Sequence, residues 1–116
     1  MLKINHSVLA LIVSVIYAIP AFGLTLEAFE SRENSLAEQQ MIEAYLHGLG
    51  SGLEYANARL GLKGESKLYC QPGGLALNPG NYISLIEGVA SRHDFLPNDP
   101  IDVMLLVGLE IEFPCP

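Results

Sequence analysis

Few side chains in this sequence fall in a pattern suited to catalysis or to metal binding. Histidines stand only at positions 6, 47 and 93. Glu43 and His47 are four apart, which places them on one face of a helix. No third ligand follows at a metal-like spacing, so the pair reads, with Glu54, as a solvated face. His93 and Asp94 are neighbours in sequence and would not face each other on a helix. Gly48-Leu49-Gly50-Ser51-Gly52 has the glycine density of a phosphate loop but not its pattern. Leu53 stands where the third glycine of G-x-G-x-x-G belongs, and no strand precedes it. Ser51 is not a nucleophile elbow, because G-x-S-x-G needs glycines where Leu49 and Leu53 stand. Glu110 and Glu112 flank the end of an apolar helix and read as solvated. The expectation is a protein that is not an enzyme and carries no metal and no cofactor.

Cys70 and Cys115 are the remaining reactive pair, and the N-terminus says which chemistry they face. Lys3 is the only charged residue before Glu27. An apolar run from Val8 to Phe22 follows the short polar start, broken by Ser14 and Pro20. Ala21-Phe22-Gly23 places small residues at the two positions a signal peptidase requires. The apolar core of about 15 residues is short of the roughly 20 needed to span a bilayer. Residues 1–23 are therefore expected to be a cleaved signal peptide, with residues 24–116 as the mature, periplasmic domain and no membrane insertion after cleavage. Two cysteines in an exported domain pair with each other. A Cys70–Cys115 bridge would stabilise by about 4 kcal/mol in the chain-entropy model.

The whole chain has 6 Lys+Arg against 13 Asp+Glu. Loss of Lys3 makes the balance more acidic still. That composition argues against nucleic acid and against anionic membrane surfaces, both of which select basic patches.

The mature chain reads as helices joined by Gly/Pro loops. Thr25 is placed to cap a short helix carrying Leu26 and Phe29. Ser35 and Glu38 fit a capping box. Behind it Ile42, Leu46 (with Tyr45), Leu49, Leu53, Ala56 and Leu60 recur at helical steps. Gly61 and Gly64 are stop signals. Gly48, Gly50 and Gly52 weaken this helix by about 2–3 kcal/mol against alanine. Because Gly48 and Gly52 share a face, they are expected to admit a neighbouring helix. Asn78-Pro79 starts the next helix, whose apolar face is Tyr82, Leu85, Ile86, Val89 and Ala90. Asp99 as cap with Pro100 first starts the last helix, Ile101 to about Ile111. It is apolar nearly all round and expected to be central. Lys67-Leu68-Tyr69-Cys70 is the one strand candidate. The fold expected is all-α, a small compact bundle of about four helices stapled by one disulfide.

Three segments together resemble a known family. Tyr45-Leu46-His47-Gly48 opens into the glycine run, Tyr69-Cys70-Gln71-Pro72 follows, and Phe113-Pro114-Cys115-Pro116 ends the chain. In order and spacing they resemble the Rap/Tai-type immunity proteins of bacterial type VI secretion systems. The chain departs from that pattern where Ser51 and Gly52 replace an aspartate often found there. The resemblance implies an all-helical periplasmic domain, often a homodimer, held by the Cys70–Cys115 disulfide. It implies a protein toxin as partner, peptidoglycan amidases being one class, inhibited by occlusion of the toxin's active site. The loop from Gly61 to Pro79, rich in Gly and Pro and anchored at Cys70, is the expected contact surface, through Gln71, Leu75 and Asn78. The alternative expectation is a periplasmic acid-stress chaperone, whose acidic excess would let a charge change at low pH expose apolar surface.

Overall fold

The computed structural model describes residues 23–116. The proposed signal peptide, apart from Gly23, lies outside the described residues.

Local chemistry sets where each helix begins. Thr25 is extended, and its hydroxyl accepts from the Ala28 amide at 3.2 Å, opening α1 (Leu26–Glu30). A 3-10 turn follows at Ser31–Asn34. Ser35 then breaks to extended backbone and caps α2 (Leu36–Leu62) by accepting from the Glu38 amide at 3.1 Å. The return half of the expected capping box is not made: Glu38 Oε2 is buried without a partner among the described residues. Asn78 caps α3 (Pro79–Ala90) with Pro79 in the first turn. Here the box is complete, with the side chains of Asn78 and Asn81 each accepting the other's amide at 3.0 and 2.9 Å.

The fourth start differs from the expectation. Pro100, not Asp99, is the cap of α4 (Ile101–Glu112), and no side chain caps it. Asp99 instead turns back on its own loop, where its carboxylate accepts from the Leu96 amide at 2.7 Å. Its carbonyl accepts from the Leu26 amide at 2.9 Å. The carboxylate that closes the 96–99 turn is not available to cap α4.

At 27 residues and 1.5 Å per residue, α2 is about 40 Å long. The 12-residue α3 and α4 are less than half that. α3 meets α2 at Gly50, where Tyr82 packs, and nearer the C-terminal end of α2 Asn57 binds the loop that follows the helix. α2 ends in a Schellman turn: Glu65 N–H donates to Leu60 O, Gly64 N–H donates to Gly61 O, and Gly64 has φ +72°. Gly61 is thus inside the helix rather than its stop.

The core between the helices is built from Leu26, Phe29, Ile42, Leu46, Ile86, Ile101, Met104 and Leu105, with Tyr82, Val89 and Leu109 around them. α3 and α4 approach closely at Gly108, where a β-carbon would lie 3.1 Å from Leu85 Cβ and 3.3 Å from Leu85 O. α4 is less enclosed than its composition suggests, because Val103 and Ile111 are half-exposed on its outer side. Arg32, stacked 4.2 Å from the Phe29 ring centroid, pairs with Glu87 and ties the first segment to α3.

The glycine expectation is corrected. A β-carbon at Gly48 or Gly52 would meet nothing within 4 Å, whereas one at Gly50 would lie 2.2–2.5 Å from the Tyr82 ring. The buried stripe of α2 runs Ile42, Leu46, Gly50 and Asn57. Tyr82 drops into the Gly50 notch, so the helix-weakening glycine with a packing reason is the middle one. Ala56 is exposed, and Asn57 takes the buried place expected for it.

Candidate functional site

The segment 63–78 has no regular structure, yet it is tied down at several points. Tyr69 is buried against the distal half of α2. Its backbone is held by Asn57, a polar residue only 6% exposed. Asn57 Oδ1 accepts from the Leu68 amide at 2.7 Å, and Asn57 Nδ2 donates to the Tyr69 carbonyl at 2.7 Å. A buried amide satisfied on both ends holds its partners; left unsatisfied, the same groups would be costly. One residue on, the Cys70 amide donates to the Phe113 carbonyl at 2.7 Å, and Cys70 is bonded to Cys115. The segment Lys67–Cys70 is therefore pinned on both sides, but it forms no strand. The expected disulfide is present and clamps this loop to the end of α4.

Beyond the clamp the chain makes a tight turn. The Leu75 amide donates to the Pro72 carbonyl at 3.2 Å, and Gly74 has φ +81°. The Gln71 side-chain amide donates to the Leu75 carbonyl. Of the three residues expected to contact a partner, the structure gives each a different situation. Leu75 is 42% exposed at the turn. Gln71 is half-buried and closes the turn. Asn78 is committed to the α3 cap. Leu68, which sequence reasoning did not single out, is 44% exposed on the same segment. Nothing in its local pattern distinguishes it, since its exposure follows from Asn57 gripping the backbone beside it.

A cleft of about 200 Å³ opens between this turn and α2, lined by Glu54, Asn57, Lys67, Tyr69 and Gln71 among others. That is below the roughly 300–1,000 Å³ typical of small-molecule sites and is the size of one or two side chains. Burial raises the Tyr69 hydroxyl above its ordinary range, with smaller contributions from Tyr82 and the Glu54 carboxylate. Tyr82 is raised by burial and then by Glu54. Both are thus neutral hydroxyls at physiological pH, beside a carboxylate. A wider recess of about 420 Å³ lies between α1 and α3, but its cation Arg32 is already held by Glu87 and Phe29.

Glu43 and His47 lie exposed on the outer face of α2. His93 is exposed too, edge-on to Phe95 at 6.2 Å. Among the described residues no three His, Cys, Asp or Glu side chains are grouped to hold a metal ion, and no helix is long and apolar enough to cross a membrane. Compared with protein families, with curated proteins and with solved structures, the chain matches none.

Proposed function

We propose that this chain is a periplasmic immunity protein of the Rap/Tai type, which binds a toxin delivered by type VI secretion and occludes the toxin's active site. The observation that carries this reading is the 67–75 segment. Asn57, the Cys70–Cys115 bridge and the Cys70–Phe113 hydrogen bond hold its backbone, while Leu68 and Leu75 stand exposed on it. A surface ordered in advance loses little entropy on binding, and apolar side chains on a rigid turn suit insertion into a cleft. The side-chain-sized cleft beside the turn gives a partner residue a place to enter in return. The excess of acidic residues would hasten encounter with a basic toxin.

The test is binding and protection. The exported protein is expected to bind the hydrolase encoded beside its gene at neutral pH and to rescue cells in which that enzyme reaches the periplasm. Leu68→Asp with Leu75→Asp removes the apolar contacts while leaving Gln71 and Asn78 to hold the loop and helix cap. This variant is expected to stay folded and to lose protection. Full protection by the folded double variant excludes this surface, and failure of the wild type to bind any neighbouring hydrolase excludes the immunity reading.

A further inference from the structure

The N-terminal end of the described chain is fastened by several backbone contacts. The Leu24 carbonyl accepts from the Ile101 amide at 2.9 Å, and Thr25 pairs with Pro100 in an isolated bridge. The Leu26 and Glu27 amides donate to the carbonyls of Asp99 and Pro97. Residues 24–27 are thus clamped along the loop that leads into α4. Just ahead of the clamp, Gly23 abuts two polar side chains. A β-carbon at position 23 would lie 2.7 Å from Asp102 Oδ2 and 3.1 Å from the Tyr45 hydroxyl. Tyr45 in turn donates to Asp102 Oδ1 at 2.6 Å. Burial, and after it Asp102, raises the Tyr45 hydroxyl above its ordinary range, and the nearby Leu24 backbone partly offsets that rise. The Gly23–Leu24 peptide bond therefore sits at a half-buried corner, where Tyr45 from α2 and Asp102 from α4 are the titratable groups facing it.

We propose that this corner is built for a processed N-terminus: hydrolysis between Gly23 and Leu24 creates an α-ammonium that pairs with the Asp102 carboxylate and closes the fold. In the hydrolysis the Gly23–Leu24 C–N bond breaks, and water supplies the hydroxyl of the new Gly23 carboxylate. The freed Leu24 amine is protonated in solvent. A neutral amide with one N–H becomes a cation with three donors, beside a carboxylate oxygen that faced the departed glycine. Half-burial screens such a pair less than full exposure would. The order of events follows as well. A peptidase needs an extended, accessible bond, and the folded clamp hides this one, so cleavage precedes docking of residues 24–27. The inference rests on the export half of the proposed function and is independent of toxin binding.

The experiment uses protein purified from the periplasm. Intact mass is expected to show a chain beginning at Leu24; a different first residue overturns the proposal. NMR titration of the α-amine is expected to give a pKa about one unit above the ordinary ~7.7–8.0, a tenfold tighter hold on the proton. Asp102→Asn is expected to return it to the ordinary range, whereas Tyr45→Phe leaves it raised. An α-amine pKa indifferent to Asp102→Asn overturns the ion pair. Should Asp102→Asn fail to fold, one glycine inserted between Gly23 and Leu24 decides the matter, because it moves the charge off the site without placing a β-carbon against Asp102. A Tm lower by about 4 °C or more supports the pair, and an unchanged Tm overturns it.

Discussion

Gly50 of α2 lies so close to the ring of Tyr82 of α3 that a β-carbon at position 50 would sit 2.2 Å from Tyr82 Cε2. The ring is buried and cannot swing clear. Gly50→Ala is therefore expected to destabilise the domain by about 1–3 kcal/mol, the usual range for overpacking, despite alanine's better helix propensity. Gly48→Ala and Gly52→Ala are expected to stabilise it by about 0.5–1 kcal/mol each, since both positions open on empty space. Chemical denaturation of the three variants checks the sign at each site; a gain at position 50 would contradict the packing.

Asn57 holds the loop backbone from both its amide atoms. Asn57→Leu leaves the Leu68 amide and Tyr69 carbonyl without these partners, and a loss of about 2–3 kcal/mol is expected. The loss should be local as well as global. Limited proteolysis is expected to nick the variant between residues 63 and 78 under conditions where the wild type is intact.

The disulfide joins residues 45 positions apart. Its removal in Cys70→Ser with Cys115→Ser is expected to lower stability by up to about 4 kcal/mol in the chain-entropy model. Wild type melted with reductant should match the double variant, and without reductant it should melt higher. Thiol labelling of the unreduced, denatured wild type should find no free sulfhydryl.

Tyr45, Tyr69 and Tyr82 are all raised above their ordinary value, in each case chiefly by burial. A raised folded value means that the folded state holds the phenolic proton more tightly than the unfolded state. The associated stability is fully present below the unfolded value near pH 10 and is lost as pH climbs through the folded values. Stability is thus expected to fall above about pH 10. Phenolate absorbance should rise at higher pH in native than in denatured protein, and the slope of stability against pH should shrink in Tyr69→Phe.

The features of this protein legible in its sequence are those that depend on near neighbours or on a forced choice. Thr25, Ser35 and Asn78-Pro79 start helices because a short oxygen-bearing side chain reaches amides two or three residues ahead, whatever the rest of the chain does. The Cys70–Cys115 pairing, though distant, was legible because each cysteine has one possible partner. Tertiary structure alone decided which glycine matters, because Gly48, Gly50 and Gly52 are alike until α3 brings Tyr82 against one of them. It put Asn57 rather than Ala56 in the buried stripe, because the far half of α2 is covered by a loop backbone with polar groups to satisfy. It joined Tyr45 to Asp102 across 57 residues. In each case the deciding partner arrives from far along the chain, where no local pattern can announce it.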